Sequence, residues 1–66
     1  MYEEPEIVNC VVLRETDLAF LLSDRDNPDT EAYFPKSQIS FKQRNLKTGM
    51  AVVEIPAWLL KAKGWS

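Results

Sequence analysis

The sequence contains no histidine, a single cysteine and only two glycines among its 66 residues. With one cysteine the chain cannot form an internal disulfide, and without histidine it falls short of the roughly four ligands of a structural zinc site. The isolated glycines, Gly49 and Gly64, cannot form a glycine-rich phosphate-binding loop. We therefore expect a fold without covalent or metal cross-links and without a cofactor.

The same absences argue against catalysis. Without histidine, general acid-base chemistry would depend on carboxylates or lysines, and their spacing suggests no paired site. Cys10 lies in an apolar run and is expected to be a small buried residue rather than a reactive thiol. The stretch Asp24-x-Asp26-x-Pro28 resembles the start of a calcium loop, but Pro28 replaces an oxygen ligand. We predict a protein that is not an enzyme and has no metal site.

The sequence also lacks any apolar run near the roughly 20 residues needed to span a bilayer. Three of its first six residues are glutamates, where a secretory signal would be basic. We expect a soluble cytoplasmic protein. A chain of this size has room for one domain, residues 1–66, and buries only about 60% of the surface that its unfolded form exposes. A homodimer that covers further surface therefore remains an alternative to a monomer.

Short apolar runs separated by turn-forming residues predict four or five strands. Residues 23–30 contain so many turn formers that we expect a loop rather than a tight turn between the second and third strands. The predicted strands cover residues 7–14, 18–22, 31–34, 39–41 and 50–55.

Two prolines mark the remaining elements. Pro35 removes a backbone donor at the end of the third strand, and residues 36–38 then fit a single 3₁₀ turn. Pro56 suits the first helical position, and residues 57–63 are good helix formers ahead of Gly64. The fold class is therefore mainly β with one short C-terminal α-helix, arranged as a small antiparallel bent sheet or an open barrel. The order of three strands, a one-turn helix and a strand is similar to SH3-like barrels.

Charge is divided along the chain. Residues 1–35 carry nine acidic residues against two arginines, a net charge of −7, whereas residues 36–66 carry a net charge of +5. The acidic side predicts a surface that binds a basic protein, and an exposed tryptophan is a common anchor for such binding. The tryptophans could instead fold back over the core. The predicted partner-binding residues are Asp24, Asp26, Asp29, Glu31, Trp58 and Trp65.

The basic side supports an alternative, weak binding of single-stranded nucleic acid. Basic side chains would follow the phosphate backbone while an aromatic ring stacks on a base. The overall pI of about 4.9 argues against a dedicated nucleic-acid binder. The residues predicted for this alternative are Lys36, Lys42, Arg44, Lys47 and Phe41, with Tyr33 nearby.

Two stretches, Tyr33-Phe34-Pro35-Lys36-Ser37-Gln38-Ile39 and residues 53–64 with Ile55-Pro56-Ala57-Trp58-Leu59, together resemble a group of small bacteriophage and prophage accessory proteins. The resemblance spans most of residues 8–64, and residues 23–30 depart from it. It implies a phage-encoded accessory protein without an established activity, and it carries over no binding residues. We predict a non-enzymatic protein-interaction module that binds a host or phage protein and acts as its inhibitor or modulator.

Overall fold

The computed structural model describes residues 4–65, which form five strands, one 3₁₀ turn and one short helix. The acidic start of the chain, residues 1–3, lies outside the described residues. The elements are β1 (Pro5–Glu15), β2 (Ala19–Asp24), β3 (Asn27–Pro35), the 3₁₀ turn (Lys36–Gln38), β4 (Ser40–Arg44), β5 (Met50–Pro56) and α1 (Ala57–Ala62).

All strand pairs are antiparallel, in the order β3-β2-β1-β5-β4. The sheet is not closed, because β3 and β4 are its two edges. This confirms the predicted mainly β fold with one short C-terminal helix, in its open form. Within residues 4–65 the structure contains no helix with the length and apolarity of a membrane span.

The long strand β1 is shared by two halves of the sheet. Its first part, Pro5–Val11, pairs with β5, and its second part, from Cys10 to Glu15, pairs with β2. A register shift between Val12 and Arg14 inserts Leu13 as an extra residue, and such a bulge bends a strand. The bend lets the two halves of the sheet face each other. The β2–β3 half consists of β1, β2 and β3, and the β4–β5 half consists of β1, β5 and β4.

The core lies between these halves. Its largest fully buried side chains include Leu22 and Phe34 from the β2–β3 half and Val53 and Ile55 from β5. Each follows the two-residue alternation of a strand with one face turned inward. Phe20 of β2 meets Phe41 of β4 edge to face, with ring centroids 4.9 Å apart, so the two halves are in direct contact.

The helix α1 closes one end of this core through Leu59 and Leu60, both buried. Six residues are too few for a stable helix in isolation, so this packing holds it in place. Gly64 then adopts a φ of +76°, which favours glycine, and the chain turns back. Trp65 donates its backbone N–H to the Leu60 carbonyl at 2.8 Å and packs edge to face on Phe34, with centroids 4.9 Å apart.

The prediction of a loop over residues 23–30 is wrong. β2 continues to Asp24 and β3 begins at Asn27, so only Arg25 and Asp26 form the turn. The Asp24 carboxylate accepts the backbone N–H of Asp26 at 2.9 Å, a side-chain bond that stabilises a tight turn. Pro28 is tolerated because β3 is an edge strand.

The predicted 3₁₀ turn over Lys36–Gln38 is confirmed. The turn between β4 and β5 depends on Gly49, whose φ is +80° and whose carbonyl accepts the Val12 N–H at 2.7 Å. A Cβ atom on Gly49 would lie 3.2 Å from the Val12 carbonyl oxygen. Glycine is therefore favoured there both by its backbone angle and by the close approach of β1.

Candidate interaction surfaces

The outer face of β3 carries two exposed acidic side chains and an exposed tyrosine. Phe34 is buried and Ala32 half-buried, whereas Asp29, Glu31 and Tyr33 are exposed and alternate with them. Because successive side chains of a strand point to opposite faces, these three residues share the face turned away from the core. We call Asp29, Glu31 and Tyr33 the acidic edge.

Two residues of the acidic edge, Glu31 and Tyr33, also have backbone groups that are free to bind. Lys36 donates its N–H to the Leu18 carbonyl at 2.9 Å, and Phe34 and Ala32 continue the same register with β2. In an antiparallel ladder, residue pairs that hydrogen-bond to each other alternate with pairs whose N–H and C=O groups point away from each other. Glu31 and Tyr33 therefore direct their N–H and C=O groups toward the open side of β3, where the part of the chain that the structure describes places no further strand.

The other two predicted acids have different roles. Asp24 is half-buried and lies opposite Cys10 in the β1–β2 ladder, where it also holds the turn. Burial and, to a smaller degree, the charge of Asp24 raise the pKa of the Cys10 thiol to about 11. Asp26 is exposed at the tip of the turn. The four acids thus do not form one patch, and only Asp29 and Glu31 belong to the acidic edge.

The two tryptophans are separated by the fold. Trp58 lies on the outer side of α1 with 52% of its surface exposed. Trp65 instead packs on Phe34 against the core, with its indole Nε1 buried and without a hydrogen-bond partner among residues 4–65. Trp58 remains a candidate contact residue, whereas Trp65 contributes mainly to closing the core.

The residues predicted to bind nucleic acid do not form one basic loop. Lys36 and Arg44 meet on either side of Glu15: Lys36 Nζ lies 2.7 Å from Glu15 Oε2, and Arg44 Nη2 lies 3.8 Å from Glu15 Oε1. The hydrogen bond from Lys36, helped by the positive charges of Lys36 and Arg44, lowers the pKa of Glu15. One carboxylate therefore neutralises part of this basic surface.

Both cations also cover aromatic rings. Lys36 Nζ and the Arg44 guanidinium carbon lie 5.0 and 5.1 Å from the centroid of Phe20, and Arg44 lies 5.1 Å from that of Phe41. These are cation–π distances. Because Phe41 contacts both Phe20 and Arg44, its ring is not free for a base to stack on.

The remaining basic residues are scattered. Lys42 Nζ lies 3.8 Å from Glu54 Oε1, and Lys47 is exposed in the β4–β5 turn. An open cleft of about 350 Å³ near this turn is lined by Arg25 and Arg44 together with amide, hydroxyl and apolar groups. None of its lining residues in the described part of the chain carries a carboxylate, but the cleft is so open that a small ligand would remain largely in solvent. Among residues 4–65 no three side chains are grouped as metal ligands.

No family model, curated protein or solved structure matches this chain. Its function must be inferred from its own surfaces. The alternation Asp29-x-Glu31-x-Tyr33 was visible in the sequence, but the predicted loop concealed its meaning. No local sequence pattern marks Glu15, because its partners Lys36 and Arg44 lie 21 and 29 positions further along the chain.

Proposed function

We propose that this chain is a non-enzymatic protein-interaction module that binds a basic, extended segment of another protein along the acidic edge of β3. The observation that carries the proposal is the combination on one strand of two exposed carboxylates, an exposed tyrosine and backbone groups that face no further strand within residues 4–65. A partner strand would gain main-chain hydrogen bonds from β3 and side-chain specificity from these three residues, as in other cases of β-strand addition.

The structure of β3 makes such binding compatible with folding. Its inward residues, Phe34 above all, hold the strand on the core, so the outward residues can serve recognition without loss of packing. Tyr33 offers a large apolar surface with a polar tip, a combination enriched at interfaces. Asp29 and Glu31 would speed the encounter with a positively charged partner, and this effect would weaken with salt.

The resemblance to phage accessory proteins makes a host or phage protein the expected partner, acting in the bacterial cytoplasm. Binding of single-stranded nucleic acid has less support, since Glu15 holds two of the basic side chains and the Phe41 ring is covered. Trp58 provides a second exposed anchor on α1, which would extend the contact if the partner is large.

The proposal is tested by capture of partners from bacterial lysate with tagged wild type and with the double variant Asp29→Asn, Glu31→Gln. Mass spectrometry of the bound proteins, with and without nuclease, identifies the partner. We expect a stoichiometric protein that survives nuclease, binds wild type and is lost from the double variant. The pair Glu6→Gln, Asp17→Asn is the matched control, because it removes two exposed carboxylates away from β3.

Loss of all partners on nuclease treatment would contradict the proposal and favour the basic surface. Equal loss of the partner from the control pair would show that net charge, rather than the acidic edge, governs binding. If Trp58→Ala removes the partner and the double variant of the acidic edge does not, the contact lies on α1 instead.

A further inference from the structure

We infer that the chain self-associates head to tail, with β4 of one copy pairing along the acidic edge of β3 in the next. The inference rests on the proposed function, because it uses the same edge and identifies one strand that fits it. β4 is extended, basic and at the other free edge of the sheet. It therefore has the chemistry that the acidic edge is proposed to bind.

The backbone of β4 is available for pairing. Asn45 donates its N–H to the Met50 carbonyl at 2.8 Å, and Gln43 lies opposite Val52 in the same register. Since bonded pairs alternate, Arg44 directs its N–H and C=O groups toward the open side of β4. β3 keeps a regular register with β2 over residues 31–35, and β4 pairs with β5 at Gln43 and Arg44 after the register shift at Lys42. The two edges can therefore form a short ladder across two copies.

Side-chain charges at the two edges are complementary. Asp29 and Glu31 are exposed on the outer face of β3, and Lys42 is exposed on β4 beside Glu54 of β5. The internal ion pair of Lys42 with Glu54 is 3.8 Å long and at the surface. Such a pair contributes little, so Lys42 can exchange it for a carboxylate of a neighbouring copy at small cost.

The same charges disfavour the symmetric alternatives. Pairing β3 with β3 of a second copy would bring Asp29 and Glu31 of both copies close together, and pairing β4 with β4 would do the same for Lys42 and Arg44. Like charges that face each other across a ladder are destabilising. The remaining mode joins unlike edges. Such a heterologous contact leaves one edge free at each end of the assembly, so it continues into a ring or a short chain of copies rather than stopping at a two-fold dimer.

The test is charge exchange between the edges, read by sedimentation velocity at low salt over a range of protein concentrations. We expect the mass of wild type to rise above the 7.6 kDa monomer with concentration. Glu31→Lys and Lys42→Glu should each weaken association roughly fivefold or more, because each replaces an attractive cross-strand pair by a repulsive one. The double variant Glu31→Lys, Lys42→Glu should restore it, as should an equimolar mixture of the single variants.

Asp17→Lys and Lys61→Glu are matched controls, with the same changes of charge at exposed positions off both edges. Circular dichroism establishes that each variant folds. A wild type that stays at 7.6 kDa at every concentration would overturn the inference, while capture of another protein by the acidic edge would still support the proposed function. If the addition of Lys42→Glu to the Glu31→Lys variant does not restore association, the head-to-tail arrangement is overturned.

Discussion

The two halves that share β1 bury their residues differently. In the β2–β3 half, the edge strand itself reaches the core, because Phe34 of β3 has no exposed surface and packs beside Leu22 of β2. In the β4–β5 half, Val53 and Ile55 of β5 supply the buried side chains, while the edge strand β4 contributes only the half-buried Phe41. Phe41 and Arg44 connect β4 to Phe20 and Glu15 of the opposite half.

This difference separates stability from recognition on β3. One face of β3 is held by the core, so its outward residues can change without unfolding the domain. β4 has no such anchor, and substitutions there act on packing, charge and pairing together. The acidic edge is therefore the better-defined binding surface, and the comparison can be tested from both sides.

The largest expected effect distinguishes the anchors of the two edge strands. Phe34→Ala should destabilise the domain by about 3–5 kcal/mol, the usual loss for a buried phenylalanine. A domain of this size is stable by only about 3–10 kcal/mol, so this variant should be largely unfolded. Phe41→Ala should cost clearly less, because its ring is only half-buried. Urea denaturation measures both, and equal losses would contradict the proposed difference between β3 and β4.

A proline scan tests which backbone groups of β3 face outward. Ala32→Pro removes an N–H that bonds to β2, so we expect a strong loss of stability. Tyr33→Pro removes an N–H on the open side, which an edge strand tolerates, and should leave the domain folded. Thermal melts followed by circular dichroism compare the two variants. A folded Ala32→Pro beside an unfolded Tyr33→Pro would reverse the assignment of the free edge.

Cys10 lies on β1 where the two halves meet, because it pairs with both Asp24 of β2 and Ala51 of β5. Its pKa is raised from 9.0 to about 11. At pH 8 this lowers the thiolate fraction about a hundredfold, and burial adds to the protection. We expect alkylation by iodoacetamide to be at least that much slower in the native protein than in urea.

The same shift predicts loss of stability in base. A raised thiol pKa means that the folded state disfavours the thiolate, so stability should fall as the pH rises from 9 toward about 11. Cys10→Ala provides the control without this titration. Rapid alkylation of Cys10 in the native wild-type protein would show that the two halves separate readily around this residue.

The smallest effect concerns Glu15, which joins the cations of the 3₁₀ turn and β4. Its pKa is lowered from the ordinary value of 4.5, so its stabilising contribution is present above that pH and is lost as the pH falls through the lower native pKa. We expect wild type to exceed Glu15→Gln slightly in stability at pH 7, with the difference shrinking below about pH 4.5 and at high salt. An unchanged difference at pH 3 would contradict this role for Glu15.

Several elements were predictable because their causes are local. Pro35 and Pro56 mark the 3₁₀ turn and the start of α1, and the apolar alternation in β2 and β5 follows from one buried face. The loop prediction failed because the side chain of Asp24 closes a turn of two residues, and composition does not distinguish such a turn from a longer loop. The exposure of Trp58 and the burial of Trp65 depended on where Gly64 redirects the chain.

By itself the sequence determined the strands, the 3₁₀ turn after Pro35 and the short terminal helix. Proline geometry, glycine freedom and side-chain alternation, which specify these elements, act over only a few residues. Only the tertiary structure decided which strands are edges and which side chains meet across them. The bend of β1 at Leu13 brings Glu15 to Lys36 and Arg44, and within residues 4–65 the outer sides of β3 and β4 have no neighbouring strand. Such contacts join residues far apart in the chain, so the free energy of the whole fold selects them.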